Sequence, residues 1–365
     1  MTQPSSWLEL SRANLAHNFR QVGALCPSAA CIPVIKANAY GAGAAGMAKE
    51  LKDLGAGALA VATVEEGVEL REQGISGGVV CLAPLALDDS EVVIEYGLTT
   101  TIFTDSAIKK LVSVGPGPVG VWVKVDTGLH RFGLEATSAT DFLTRLSSER
   151  RIDIEAIFST MIEDPEKDNG QAEQLLELRN AASELIDIPL SLASSYGILS
   201  RGGAPLLDVV RPGIMLHGFL PSSTDRLDSE RARAADMRPI ATWKTRVVQT
   251  RLVPSGDRVG YASGKGLNRE TSVATLMIGW SDGYTRTITD GAGVLIRGHL
   301  CPVLSISANA TMVDLGGVSD VTEGDEVVLV GRQGAAEIKA TDLYPGGSVY
   351  RVFASIPARV PRVWE

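Results

Sequence analysis

Residues 32–46 read IPVIKANAYGAGAAG, a run of aliphatic residues that stops at Lys36 and passes at once into small residues and glycines. A strand apolar on both faces is what a parallel sheet covered by helices requires, and Lys36 falls where that strand ends. In α/β proteins the carboxyl ends of the strands are where chemistry collects. A lone lysine there also has a plainer use, reaching out of the sheet to water. The rest of the chain decides between the two.

From residue 32 to 216, short β-rich runs alternate with helical patterns. IPVI, ALAVA, GVVCLA, TTTIFT, VWVKVD, IEAIFS, LSLAS and DVVRPG make eight strands. Between them lie helix signals such as MAKELKDLG with its glycine stop, EEGVELREQG, SAIKKLVSVG and the stretch from Asp168 to Ile186. Eight such units predict a (β/α)8 barrel. An open doubly wound sheet is the rival, but GAGAAG at 41–46 is only superficially like the GxGxxG phosphate fingerprint that such a sheet carries. After His217 the pattern changes. A charged segment, PSSTDRLDSERARAADMRP, reads as a linker, and the alternating strands of a small curved sheet or barrel follow. The expected organisation is a barrel over residues 8–225, then a mainly β domain over 236–365 joined by the N-terminal strand 1–10.

Composition sets the class of partner. The chain has 365 residues, 45% hydrophobic and 21% charged, enough for a large core and about two domains. A net charge of −9 without a long basic run argues against nucleic acid or an anionic membrane, and no segment reaches the ~18 apolar residues of a membrane span. A cytoplasmic protein acting on a small molecule is expected. Cys26, Cys31, Cys81 and Cys301 lack CxxC spacing and read as free thiols, while His17, His130, His217 and His299 are too scattered to suggest a metal centre.

The strand ends nominate Lys36, Lys124, Asp126, Thr160, Ser194, Ser195 and Arg211. A lysine able to lose its proton in a semi-buried site can form a Schiff base, and a hydroxyl- and glycine-rich rim after the last two strands can hold a phosphate. Pyridoxal phosphate needs both. Ser194-Ser195-Tyr196-Gly197 and Arg211-Pro212-Gly213-Ile214 offer the rim, although SSYG by itself serves equally as a helix cap.

Five ordered motifs now carry a resemblance. VIKANAYGAG, KVDTGLHRFG, RPGIMLHG, GDRVGYASG and IGWSDGYTR are similar to motifs of the alanine racemase family, fold-type III pyridoxal phosphate enzymes. The resemblance implies that Lys36 holds the cofactor, that Tyr40 reaches its phosphate and that Arg211 faces the pyridine nitrogen. An arginine there keeps that nitrogen unprotonated and the cofactor a weaker electron sink, which speaks for a racemase over a decarboxylase. Racemisation needs a base on each face of the α-carbon. By resemblance these are Lys36 and Tyr261, the latter from the partner subunit of a homodimer. Arg131 resembles the arginine near the cofactor phenolate and the substrate carboxylate, and Lys124 the lysine whose carbamylation braces it.

Departures from the family pattern cluster at the cofactor ring and the substrate gate. Thr160 replaces a histidine, Ser194 an asparagine, Ala308-Asn309 a Met-Asp pair, Trp280 and Ala358 two tyrosines, and Ala42 a histidine. Losing the tyrosine at 358 frees volume that Trp280 partly refills. The expected substrate is alanine or a related, larger or polar, amino acid. A lyase cleaving β-hydroxy amino acids is the alternative, although Tyr261 would then be superfluous. A cofactor-carrying homeostasis protein of the same fold type would be a single barrel without the β domain.

Overall fold

The computed structural model describes residues 4–115, 117–181, 185–203, 205–261, 265–284, 293–343 and 349–365. The 262–264 end of GDRVGYASG, Thr285-Arg286 of IGWSDGYTR and positions 182–184 of the stretch from Asp168 to Ile186 lie outside the described residues. The chain divides into two compact units. One comprises Ala13–Ala39 and Ala44–Arg238; the other comprises the residues up to Arg12, Tyr40–Gly43 and Pro239–Glu365.

The first unit is the barrel. Its parallel strands are Ala30–Cys31, Ala58–Val61, Gly78–Pro84, Thr99–Ile102, Val119–Asp126, Ile152–Phe158, Leu190–Ser194 and Val209–Arg211. The ring closes around the first of them. Ile32 N–H donates to the Val210 carbonyl at 2.9 Å and Val34 N–H to that of Pro212 at 2.8 Å, while on the other side Ile35 N–H donates to Ala60 and Ala60 N–H to Pro33, both at 2.8 Å. Strands buried on both faces explain the unbroken apolar runs: Leu59, Ala60, Val61, Val121, Val123 and Val125 are all buried. The helices start on local caps where the sequence supplies them, as where the Thr104 hydroxyl accepts from Ala107 N–H ahead of Asp105–Ser113.

The charged segment after the barrel is ordered rather than a bare linker. It contains the helix Ser229–Ala234, capped by Asp228, whose carboxylate accepts from Glu230 N–H at 3.0 Å and Arg231 N–H at 2.8 Å. Beyond it, Arg238 and the buried Asn18 exchange two hydrogen bonds, so the segment is fastened to the first barrel helix, Arg12–Leu25. A short helix with arginines and glutamate facing water has the composition of a loop, and only the Asp228 cap betrays it.

The second unit is a closed β-barrel. Ala241–Val253, Thr271–Leu276, Thr311–Asp314, His299–Ile306, Gly293–Ile296 and Glu326–Gln333 pair in that order, all antiparallel, and the last returns to the first. Ser6–Leu10 adds to the outer side of Ala241–Val253, antiparallel, and Arg362–Trp364 adds parallel to it. Among the described residues, no helix is long and apolar enough to cross a membrane, and no group of three or more His, Cys, Asp or Glu is disposed to hold a metal.

Candidate active site

Lys36 opens an unusual turn. Ala37, Asn38, Ala39 and Tyr40 have φ of 53°, 53°, 52° and 51°, four consecutive non-glycine residues in the left-handed region. Each such L-residue costs roughly 1–2 kcal/mol, so the turn persists only because its surroundings hold it. Glu66 accepts from Ala37 N–H at 2.6 Å, Asn38 accepts from Ala44 N–H at 2.8 Å, and Ala39 N–H donates to Ile35. Protein around the Lys36 ammonium lowers its pKa, as do Arg131 and Arg211, while Glu66 opposes them. The side chain is nonetheless solvent-exposed, so water screens the shift and only its direction carries weight.

Lys124, on the fifth strand, is fully buried. Its Nζ donates to the Val125 carbonyl at 2.7 Å and to Ser159 Oγ at 3.3 Å, and it lies over the Phe158 ring, 5.5 Å from the centroid. A hydroxyl and amide chain continues from there. Ser159 meets Thr127 at 2.8 Å, and Gln171 donates to Thr127 Oγ1 at 2.7 Å and to the Thr160 carbonyl at 3.2 Å. Burial and the charge of Arg211, with a smaller push from Arg131, bring the Lys124 pKa down to about 7 against the opposing Asp126. Asp126 itself is committed elsewhere. One carboxylate oxygen accepts three backbone N–H groups, from Gly128, Leu129 and His130, which shapes the loop that carries Arg131. The exposed Arg131 guanidinium sits 5.0 Å from the Phe132 ring centroid.

Arg211 ends the eighth strand and is buried among neutral acceptors. It donates to Ser191 Oγ and to the Ser159 carbonyl, each at 2.6 Å, and lies over Phe158. Burial lowers its pKa to about 10, which leaves it charged at neutral pH. Ser194 precedes the short helix Ser195–Leu199, and the buried Ser195 Oγ accepts from Gly213 N–H at 3.0 Å and Met215 N–H at 3.4 Å, joining the ends of the seventh and eighth strands. Ile214 begins the next short helical turn, Ile214–His217. Gly197 is required where it stands, because a Cβ would come within 2.6 Å of Met161 Sδ.

Arg131 and Arg211 are thus each within electrostatic reach of both Lys36 and Lys124, and Thr160 and Ser195 join them through the hydrogen-bonded strand ends. Ser159, Thr127, Gln171 and Glu66 complete the site without having been anticipated. Ser159, Gln171 and Glu66 lie outside the quoted motifs, Thr127 lies unremarked inside KVDTGLHRFG, and their partners are as much as 52 residues away in sequence.

The second unit gathers the other candidates. Trp280 N–H donates to Ser307 and Ser281 N–H to Ala308, and Asn309 donates to Ser281 Oγ at 2.9 Å. Arg359, next to Ala358, binds the Ser281 carbonyl and the Asp282 carboxylate. Trp280, Ala308, Asn309 and Ala358 therefore surround one short turn. Gly279 permits this closeness, since a Cβ there would overlap the Ser307 and Ala308 carbonyls. Tyr261 is separate and highly exposed, following Gly260, whose Cβ would run into Ser305. Tyr40 packs on Tyr350 with ring centroids 4.9 Å apart.

Residues 10–221 match the family model of the alanine racemase N-terminal domain and 240–364 that of the C-terminal domain. The chain belongs to the alanine racemase family. It is 34% identical over 377 residues to an alanine racemase of Halothermothrix orenii, covering 100% of this chain and 98% of that one. It is 32% identical to alanine racemase 2 of Caldanaerobacter subterraneus subsp. tengcongensis, covering 98% and 94%. The solved structure of alanine racemase from Clostridium difficile 630 superposes with a TM-score of 0.90 at 28% identity, covering 100% of this chain and 97% of that chain. The chain is an amino-acid racemase, and alanine racemases use pyridoxal 5'-phosphate. The side chains here fit such a cofactor. Four cations converge, yet Asp126 is committed to its loop and Glu66 to two backbone N–H groups, so the cluster suits a phosphorylated, phenolate-bearing molecule.

Proposed function

We propose that the chain racemises alanine or a related, larger or polar, amino acid with two bases, Lys36 and the Tyr261 of a partner subunit. When bound, pyridoxal phosphate supplies the electron sink that acidifies the α-proton of the amino acid. Lys36 anchors the cofactor and takes or returns the proton on one face. Tyr261 serves the other face, and its exposure in the single chain favours a homodimer in which each chain completes its partner's site.

The observation that carries this reading is Arg211, a buried cation paired with a carbonyl and a hydroxyl instead of a carboxylate. Set toward the pyridine nitrogen of a bound cofactor, it would leave that atom unprotonated and so would favour proton exchange over decarboxylation. Ser195, with the Gly213 and Ile214 backbone and the hydroxyl of Tyr40, would hold the phosphate, and Ser194 and Thr160 would line the cofactor's edge. Arg131 receives the substrate carboxylate. Lys124, with a pKa near 7, is partly the neutral amine that adds carbon dioxide, and its carbamate would turn one of the mutually repelling cations into an anion facing Arg131.

Ala308, Asn309, Trp280 and Ala358 form the substrate gate. The small side chains at 308 and 358 favour amino acids larger than alanine, and Trp280 limits how much larger. Buried free thiols at Cys26, Cys81 and Cys301 suit a cytoplasmic setting. The test is a panel of L-amino acids incubated with enzyme in D2O, following chirality by chromatography and α-deuterium by mass. Racemisation with α-deuteration of alanine or a larger amino acid is expected, and no exchange with any of them would overturn the reading.

A further inference from the structure

The left-handed turn after Lys36 has an unusual support. Glu66 is the third residue of the helix Val64–Glu72, which Thr63 caps. Its Oε2 accepts from Ala62 N–H at 2.7 Å, the residue just before that cap. The other, Oε1, reaches across to Ala37 N–H at 2.6 Å, over a sequence separation of 29 residues. One carboxylate therefore ties the end of the first barrel strand to the end of the second, at the peptide that immediately follows Lys36. Ala37 is the first of the four left-handed residues, and of these only Asn38 is of a type that tolerates the conformation well.

We propose that Glu66 is a positioning residue for Lys36: its carboxylate holds the left-handed turn closed and so fixes where the lysine amine stands. This rests on the reading of Lys36 as the cofactor lysine. A charged acceptor is needed because one side chain must accept two N–H groups at once; an amide oriented to serve one turns its own NH2 group toward the other. Glu66 is also the acid that opposes Arg131 and Arg211 at the Lys36 ammonium. Replacing it removes the staple and the counter-charge together.

The experiment uses the full-length chain, with the cofactor removed and then titrated back. Borohydride reduction of the parent, followed by peptide mapping, first locates the cofactor; an adduct on another lysine defeats the Lys36 reading itself and with it this proposal. With the adduct on Lys36, Glu66→Gln is expected to weaken pyridoxal phosphate binding by roughly tenfold or more, read as absorbance. A second variant separates positioning from general support of the helix. Glycine adopts positive φ without a Cβ clash, so Ala37→Gly added to Glu66→Gln should recover a substantial part of the lost affinity. Unchanged binding in Glu66→Gln overturns the proposal. So does a loss that Ala37→Gly leaves in place and that follows a lowered thermal midpoint, because Glu66 would then merely stabilise its helix.

Discussion

The chemistry-bearing residues of the two units are held in opposite ways. In the barrel, Lys124 and Arg211 are 1% and 6% exposed and already carry hydrogen bonds to Ser159, Ser191 and main-chain carbonyls. In the β unit, Tyr261 and Trp280 are 69% and 51% exposed. At Lys124 and Arg211 the barrel's chemistry is built into the packing, so neither can be altered without touching stability, whereas Lys36 and Arg131 stand at its exposed edge. β-unit function is displayed on the surface, so it is cheap to change and depends on being covered. The proposed gate positions follow this division: Trp280, Ala308, Asn309 and Ala358 all fall in the β unit, where substitution costs the fold little.

The largest effect expected tests the exposed edge of the barrel site. Lys36→Ala should abolish racemisation, beyond the roughly 10²–10⁴-fold attributable to one acid–base group, while leaving the thermal midpoint nearly unchanged because the side chain is exposed. Chiral chromatography and calorimetry on the same sample check both. Next, Tyr261→Phe should lower turnover by about 10²–10⁴-fold while α-deuterium exchange from one enantiomer survives. Mixing it with Lys36→Ala subunits should restore activity. No recovery after verified subunit exchange would mean that each chain completes its own site, and the contrast between built-in and displayed function would lose its basis.

Burial in the barrel also predicts a pH signature. The Lys124 pKa is depressed from 10.5 to about 7 in the folded chain, so between those values the unfolded chain binds more protons and stability rises with pH. Lys124→Met should therefore exceed the parent in stability below pH 7, by at most about 5 kcal/mol, with the advantage shrinking toward pH 10. Urea unfolding of the cofactor-free chain across that range is the measurement. A gap independent of pH would show that Lys124 binds its proton equally in the folded and unfolded chain, with no depression of its pKa by burial. Smaller still, Ala358→Tyr should narrow the substrate range toward alanine by about 1–3 kcal/mol in relative kcat/KM without altering stability. An unchanged substrate profile would locate specificity elsewhere. The smallest effect belongs to the charged segment that ends the barrel unit, where Asp228→Ala should lower stability by about 1 kcal/mol with activity intact.

What the sequence made legible follows the same physics. Eight strands could be read because each is rich in apolar or β-branched residues, and Lys36 stood out as a charge ending one. Thr311–Asp314 and Ala336–Ile338 escaped notice, being short and flanked by turns. Asp126 could be read as a strand-end residue of the site, yet one of its oxygens is taken by three loop N–H groups, a use that no spacing reveals. Glu66 and Gln171 lay on helices whose polar residues look like ordinary solvated faces. Only the fold turns them inward.

The strand Ser6–Leu10 carries a consequence for biosynthesis. It pairs with Ala241–Val253 and with Arg362–Trp364, so it is translated before the whole (β/α)8 barrel, and both its partners are translated after. While the ribosome makes the intervening residues, SWLEL is an apolar strand without a sheet, the kind of edge that associates with other chains. The barrel, whose strands pair with their neighbours in sequence, can close in the meantime. Expression at a slowed elongation rate should lengthen that wait and divert more chain into aggregates, and supplying the strand after Trp364 by circular permutation should relieve it.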